Sequence, residues 1–270
     1  MSRKAILANY VLNLQSSGRT VFSREEAERT LGIGRGAFWD AAERLQRKHH
    51  LVGFRRGFYL IVPPQYLSWG APPPTWYIDD LMRYEGRPYY VGLLKAAELH
   101  GAAHQAVMEF QVVTNRQISR IRVGRSVLAF YYRRDLAVVS DAIEERKTDT
   151  GKMKLSSAEL TAFDLLRYPR AAGGLGNIAT VLSELAEKID AKKLGTLVPA
   201  FERSVTQRLG YLMDRHRGRT DALFRALSAQ PLSWVELDPA AAGDSDLSPK
   251  ISERNERWRV VVRGEPQADT

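Results

Sequence analysis

The chain has 270 residues and no cysteine, and its 40 Lys and Arg outnumber its 31 Asp and Glu, which gives a net charge of +9. The lack of cysteine excludes disulfides, zinc ribbons, iron–sulfur clusters and cysteine nucleophiles, and a hydrophobic content of 44% indicates a globular protein. No run of about 18 apolar residues is present, and the apolar stretch Ala5–Ala8 is too short for a signal peptide's core. We therefore expect a cytoplasmic protein without a membrane span.

The positive charge is concentrated near the N-terminus. Residues 1–70 hold 11 Lys and Arg against 5 Asp and Glu, whereas the rest of the chain holds 29 against 26. A basic module joined to a nearly neutral body suggests contact with nucleic acid. A solvated basic face that binds nothing would give the same charge pattern.

The N-terminal elements follow the order of a winged helix-turn-helix. Apolar residues recur with helical spacing over residues 6–14, and the capping box Ser23–Glu26 begins a second helix. A glycine turn separates that helix from a third one over residues 35–49, and residues 51–62 predict a hairpin with a basic turn. Four apolar residues of the third helix should face the core: Phe38, Ala41, Ala42 and Leu45.

In this fold the third helix enters the major groove, where its N-terminal side chains reach base edges. Arg35 is best placed for that contact, and Trp39 is a second candidate that could equally pack against another domain. The N-terminus of the second helix, with Ser23 and Arg24, could hold a phosphate through its free N–H groups. A winged helix that binds protein is the alternative. Further phosphate contacts are predicted on the third helix and the wing tip, at Arg44, Arg47, Lys48, Arg55 and Arg56.

The chain is predicted to divide into three consecutive parts. Residues 1–63 form the winged-helix domain, residues 64–75 form a short, stiff, proline-rich linker, and residues 76–270 form a larger body. The overall prediction is an α+β protein, with an N-terminal winged helix-turn-helix followed by a larger mixed α/β domain.

Within the body, strand patterns mostly precede helical ones. Strands are predicted between residues 110 and 155, two of which, 121–123 and 127–132, are joined at Gly124. A second capping box, Ser156–Glu159, begins a helical region that extends to residue 228. One of its helices should have an inner face made of Ile178, Val181, Leu182, Leu185 and Ile189. Late strands are expected near Val235 and Trp258, and residues 239–255 resemble a flexible insertion.

The sequence offers no convincing catalytic site. None of the histidines belongs to an H-E-x-x-H motif, and G-x-S-x-G and P-loop patterns are absent, so we expect no metal, no cofactor and no catalytic residue. One exception is Asp135 or Asp141 followed by Glu145 and Lys147, which has the order of acids and lysine found in metal-dependent nucleases. Alternating charges on an exposed strand would give the same letters.

Five segments of the body match one known family in order and character. They are 89–101 (YYVGLLKAAELHG), 110–114 (FQVVT), 147–169 (KTDTGKMKLSSAELTAFDLLRYP), 173–182 (GGLGNIATVL) and 207–211 (QRLGY). Together with the winged helix, they make the chain resemble the AbiEi-type antitoxins of type IV toxin–antitoxin systems, which act in abortive infection as phage defence.

The resemblance implies an antitoxin that represses its own operon by binding inverted repeats in operator double-stranded DNA. It also implies that the C-terminal domain counteracts a cognate toxin with a nucleotidyltransferase fold, without requiring a stable complex. Within the best-matching segment, Lys147, Lys152 and Lys154 surround the turn at Gly151, and we hypothesise that they form the antitoxin face. A merely solvated turn is the alternative. Two other functions remain open, a one-component transcriptional regulator with a ligand-binding body and a metal-dependent nuclease.

Overall fold

The computed structural model describes residues 6–102, 107–216, 219–229, 231–239 and 251–263. Its mixture of helices and sheets confirms the predicted α+β class. No helix in these ranges is both long enough and apolar enough to cross a bilayer.

The helices and strands of the described residues are numbered here in chain order. The helices are α1 (Ile6–Ser16), α2 (Arg24–Leu31), α3 (Arg35–Arg47), α4 (Ile78–Tyr84), α5 (Leu93–Leu99), α6 (Ala158–Arg167), α7 (Gly174–Leu185), α8 (Ala191–Thr196), α9 (Arg203–Arg215) and α10 (Asp221–Leu227). The strands are β1 (Val21–Ser23), β2 (Leu51–Arg55), β3 (Phe58–Ile61), β4 (Tyr89–Val91), β5 (Glu109–Thr114), β6 (Ile121–Val123), β7 (Ser126–Tyr132), β8 (Ile143–Thr148), β9 (Gly151–Ser156), β10 (Val235–Glu236), β11 (Ile251–Asn255) and β12 (Val260–Arg263).

The chain divides into two compact units that alternate along the sequence. The predicted domains, in contrast, are consecutive, and their boundaries at residues 64–75 stay a prediction. The first unit comprises residues up to Tyr90 with Met108–Leu136 and Glu145–Lys154, and the second comprises Val91–Val107, Ala137–Glu144 and the residues from Leu155 onward.

The N-terminal part of the first unit has the predicted order of helices followed by a hairpin. Strands β2 and β3 pair antiparallel, and β1 joins them to give the sheet order β1-β3-β2. Strand β1 was not predicted, although its β-branched Val21 and aromatic Phe22 favour extended backbone. The hairpin thus becomes one part of a three-stranded sheet.

An aromatic cluster holds these helices against the small sheet. The ring of Tyr59 on β3 lies 5.5 Å from that of Phe22 and 5.2 Å from that of Phe38 on α3. Each such pair stabilises a core by about 0.5–1.5 kcal/mol beyond the burial of its area. Phe38, Ala41 and Ala42 are buried and Leu45 packs against the same cluster, which confirms the predicted inner face of α3.

The larger sheet lies mainly in the first unit. Its strand order in the described residues is β6-β7-β5-β4-β9-β8. Strands β6 and β7 form the predicted hairpin at Gly124, whereas β5 pairs with β7 in parallel and β4 with β9 in parallel. Because β4 and β9 are neighbours, the sheet brings the chain around Tyr89 next to Lys152 and Lys154, although about 65 residues separate them.

The second unit is built around helix α6, most of whose residues are buried. The predicted inner face of α7 is confirmed for Ile178, Val181, Leu182 and Leu185, which are buried, whereas Ile189 lies beyond the end of the helix and is only partly buried. The last three strands of the described residues form a small sheet of order β10-β12-β11 in this unit. Trp258 beside it is fully buried, its indole N–H donates to Oδ2 of Asp214 over 2.7 Å, and its ring packs directly on the backbone of Gly210.

Two predictions for this part of the chain need correction. The N-cap of α6 is Ser157, whose hydroxyl accepts the backbone N–H of Leu160 over 3.3 Å, and not Ser156. Ser156 ends strand β9, so its backbone belongs to the sheet, and its hydroxyl contacts Oγ1 of Thr161 over 2.7 Å. Glu159 does not close a capping box, because its carboxylate accepts the backbone N–H of Asp190 over 2.7 Å.

The flexible insertion predicted at residues 239–255 is wrong for its last five residues. Residues 251–255 are strand β11, which pairs antiparallel with β12. Sequence letters alone favoured a loop there because the segment is polar, but the buried β12 supplies a partner strand for its backbone. Residues 240–250 of the predicted insertion lie outside the described residues.

Candidate nucleic-acid interface

The turn between α2 and α3 presents the N-terminus of α3 at the surface. The hydroxyl of Ser23 accepts the backbone N–H of Glu26 over 3.1 Å, which confirms the predicted start of α2. Helix α2 ends at Gly32, whose φ of +61° lies in the left-handed region that glycine adopts without steric cost. Two residues separate Gly32 from helix α3, whose first residue, Arg35, is exposed.

The face of α3 that points away from the core carries more cations than carboxylates, since Asp40 and Glu43 are exposed there beside the basic residues. Arg35, Arg44 and Lys48 are exposed, and none of them has an ion-pair partner among the described residues. Arg47 pairs with Glu43 over 3.2 Å, but the two side chains are 69% and 63% exposed. An exposed pair of this kind contributes about 0–1 kcal/mol. A phosphate can therefore replace Glu43 as the partner of Arg47 at little cost.

Trp39 lies on the same surface of α3 with 43% of its area exposed. An exposed indole of this size can stack on a sugar or contact a thymine methyl group, in line with its predicted role. The structure thus places Arg35, Trp39, Arg44 and Arg47 on α3 and Lys48 directly after it, and their contacts with DNA stay a prediction.

The N-terminus of α2 is less available for a phosphate than its sequence suggests. The Arg24 side chain is only 16% exposed, and it contacts the carboxylates of Glu25 at 2.7 Å and Glu28 at 3.5 Å. Its backbone N–H donates to the carbonyl of Gly57 over 2.8 Å, and the Ser23 hydroxyl is occupied by capping. The phosphate contact of Ser23 and Arg24 stays a prediction. It would require Arg24 to leave Glu25 and Glu28, and Ser23 to give up its capping hydrogen bond, before either could bind the phosphate.

The wing tip is held by Tyr84 and Glu85, which follow the predicted linker. Nε of Arg55 lies 3.1 Å from Oε1 of Glu85, and the hydroxyl of Tyr84 donates to the carbonyl of Arg56 over 2.9 Å. The rings of Tyr84 and Phe58 are 5.2 Å apart. The side chain of Arg56 is exposed, whereas Arg55 would have to leave Glu85 in order to bind DNA.

An ion pair also secures the start of α2. The guanidinium of Arg19 donates to both carboxylate oxygens of Glu26, one of them over 2.9 Å. This contact lowers the pKa of Glu26, although partial burial acts in the opposite direction, and the backbone N–H of Ser23 lowers the pKa further. A carboxylate near a helix N-terminus also interacts favourably with the helix dipole.

The three lysines of the predicted antitoxin face do not share one environment. Lys152 pairs with Glu145 over 2.6 Å, whereas Lys154 has no ion-pair partner among the described residues. Both line a surface groove in the first unit, and the exposed Lys147 does not.

The acidic residues that suggested a nuclease, Asp135 or Asp141 with Glu145, lie within the described part of the chain. No group of three or more His, Asp or Glu there could hold a metal ion. The carboxylate of Glu145 contacts Lys152 across the hairpin, which accounts for the alternating charges on these strands.

Sequence reasoning missed the residues that accompany these lysines. Arg83 and Arg87 line the same groove, and Glu85 between them holds the wing. No local pattern could have connected them with Lys152 and Lys154, because only the adjacency of β4 and β9 brings them together.

These elements define an α+β protein in which a helix-turn-helix with a hairpin precedes a mixed sheet and a helical unit. Residues 90–215 match the family described as the AbiEi antitoxin C-terminal domain. This match confirms the resemblance to the AbiEi-type antitoxins over this part of the chain, and it supports an antitoxin role.

One solved structure extends the comparison of folds to nearly the whole chain. It is the crystal structure of the RV2827C protein from Mycobacterium tuberculosis, with a TM-score of 0.68 and 16% sequence identity. The similarity covers 97% of this chain and 92% of that one, and it shows that the two proteins share a fold. No curated protein sequence matches the chain significantly.

Proposed function

We propose that the protein is a cytoplasmic antitoxin of the type IV class that also represses its own operon by binding operator DNA. The observation that carries the DNA-binding part is the outer face of α3, where Arg35, Arg44 and Lys48 are exposed without ion-pair partners in the described part of the chain. Cations in this position neutralise DNA phosphates and release condensed counterions, which supplies much of the affinity for DNA.

Each part of this surface has a role in the proposal. Arg35, at the N-terminus of α3, reads a base edge in the major groove, and a guanine can accept two hydrogen bonds from its guanidinium. Arg44, Arg47 and Lys48 contact phosphates further along, and Arg56 contacts the backbone from the wing. Two copies bound to inverted repeats would place their α3 helices about 34–36 Å apart, one helical turn of DNA.

The second half of the proposal concerns the toxin. We infer that the C-terminal domain counteracts a cognate nucleotidyltransferase-type toxin, and that Lys147, Lys152 and Lys154 contribute to this activity. The support is the family match, which includes the hairpin of β8 and β9, and the exposure of all three lysines on that hairpin. Direct contact between the two proteins is not required by the proposal.

The affinity for the DNA upstream of the protein's own gene tests the proposed operator binding. We expect fluorescence anisotropy to give tighter binding to that duplex than to a scrambled duplex of equal length, and we expect Arg35→Ala with Arg44→Ala to abolish the difference. Arg122→Ala is the matched control, because Arg122 is an exposed cation on β6. Equal affinity of the wild type for both duplexes would refute operator binding.

Growth assays test neutralisation separately. The candidate toxin is the product of the neighbouring gene, and we expect co-expression of the wild-type chain to restore growth. The triple variant Lys147→Ala, Lys152→Ala, Lys154→Ala should fail to do so at equal protein level, whereas Arg122→Ala should still rescue. Full rescue by the triple variant would show that the antitoxin face is not needed for neutralisation.

A further inference from the structure

A groove in the first unit lies apart from the outer face of α3. Its volume is about 440 Å³, within the range of about 300–1,000 Å³ that is typical of small-molecule sites. The charged residues that line it come from α4, from the turn before β4 and from the hairpin of β8 and β9. They are Asp79, Arg83, Arg87, Glu145, Lys152 and Lys154.

Two of the four cations are already paired within the groove. Arg83 donates to the carboxylate of Asp79, and Nζ of Lys152 lies 2.6 Å from Oε1 of Glu145. The lining itself holds four cations and two carboxylates, a net charge of +2, and Arg83 also pairs over 2.8 Å with Asp80, which is not part of the lining. Arg87 and Lys154 have no carboxylate partner among the described residues, so they supply the positive charge that is available to a ligand.

Hydrogen bonds to neighbouring segments fix the backbone of Lys154 and that of Arg87, whose N–H donates to the carbonyl of Met82 over 3.0 Å. The hydroxyl of Tyr89 accepts the backbone N–H of Lys154 over 3.2 Å and donates to Oδ1 of Asp79 over 2.9 Å. This hydroxyl therefore joins β9 to α4 across the floor of the groove. Nε of Arg87 is buried and has no hydrogen-bond partner in the described part of the chain. A buried donor without a partner is unfavourable unless a bound group satisfies it.

We propose that this groove binds the phosphate group of a small phosphorylated molecule, with Arg87 and Lys154 as its principal ligands. A phosphate monoester carries a charge of about −1.5 to −2 at pH 7, which matches the net charge of the lining. Arginine binds a phosphate through two parallel hydrogen bonds, and lysine adds a compact positive charge. The volume exceeds that of a phosphate ion, so the organic part of the ligand also fits. The inference does not rest on DNA binding. It shares Lys152 and Lys154 with the proposed antitoxin face, so its test measures binding of a small phosphate and not rescue of growth.

Isothermal titration calorimetry with phenyl phosphate and inorganic phosphate on the full chain tests this site. We expect saturable binding of both probes that weakens by roughly tenfold in Arg87→Gln and in Lys154→Gln, since each substitution removes a charge-assisted hydrogen bond. Arg122→Gln is the control and should bind as the wild type does. Because Arg87 is partly buried, its variant could unfold; Lys154 is exposed, so Lys154→Gln keeps the test decisive. The absence of saturable binding, or equal weakening by Arg122→Gln, would overturn the proposal.

The charge state of the ligand gives a second test. The second pKa of a phosphate monoester is near 6, so phenyl phosphate should bind more tightly at pH 7.5 than at pH 5.5. Dimethyl phosphate, a diester with a single charge, should bind clearly more weakly. Equal binding of the diester and the monoester would show that the groove does not recognise a dianion, and competition by short duplex DNA would then assign it to nucleic-acid backbone instead.

Discussion

Nε of Arg55 at the wing tip lies 3.1 Å from Oε1 of Glu85, the residue that follows helix α4. The side chains are 32% and 27% exposed, so water screens this pair less than it screens the Arg47–Glu43 pair on α3. Glu85 therefore competes with a DNA phosphate for the same guanidinium. In the proposed repressor, the wing binds DNA through Arg55 only after this ion pair has been broken.

Replacing Glu85 by glutamine should strengthen DNA binding. The substitution removes the competing carboxylate and one negative charge near the DNA, so we expect an affinity gain of several fold and a steeper dependence of log K on log salt, by about one unit. The gain should disappear when Arg55→Ala is added, because the two substitutions act on one pair. If the affinity gain persists without Arg55, Glu85 weakens DNA binding only through its negative charge near the DNA and not by pairing with Arg55.

Glu26 makes the stability of the N-terminal part depend on pH. Its pKa is lowered in the folded state, chiefly by Arg19. The ion pair therefore stabilises the fold fully above the unfolded pKa, about 4.3 for glutamate, and this contribution is lost as the pH falls through the lower folded value. Denaturant titrations between pH 6 and pH 3 should show a weaker loss of stability in Glu26→Gln. Arg19→Ala should reproduce that weaker dependence, and an unchanged pH profile in both variants would contradict the assignment.

Gly210 in α9 should not tolerate a larger residue. A Cβ built on it would overlap the ring of the fully buried Trp258, which is fixed by its hydrogen bond to Asp214. Overpacking of this kind costs about 1–3 kcal/mol, and we expect Gly210→Ala to lower the free energy of unfolding in urea by that amount. Gly36→Ala in α3 is the matched control, because a Cβ added there would meet nothing within 4 Å and alanine favours helix by about 0.5–1 kcal/mol. Equal stability of the two variants would rule out the proposed packing constraint.

Local patterns predicted the elements whose signals lie within a few residues. The inner faces of α3 and α7, the Ser23 cap and the hairpin after α3 follow from helical spacing, capping chemistry and turn residues. The capping box at Ser156 was misplaced by one residue, because two serines stand side by side and only the end of β9 decides between them.

Long-range pairing could not be predicted from the same patterns. Strand β11 exists because β12 supplies its partner, and the parallel pairings of β5 with β7 and β4 with β9 leave no mark in the local sequence. The residues of the candidate sites likewise fall into those that local patterns could predict and those that they could not. The cations of α3 were predicted from helical spacing, whereas Glu85 and Arg87 gained their roles only through contacts with distant segments.

Two substitutions on α3 separate base recognition from phosphate contact. If Arg35 reads a base edge, Arg35→Ala should cost about 1–3 kcal/mol on the operator and relax its preference over a scrambled duplex. If Lys48 contacts a phosphate, Lys48→Ala should weaken both duplexes by a similar factor and reduce the salt slope by about one unit. Both side chains are exposed, so neither variant should change the unfolding midpoint. Uniform weakening by Arg35→Ala, with the preference intact, would move Arg35 from the base edges to the backbone and leave Trp39 as the candidate for sequence recognition.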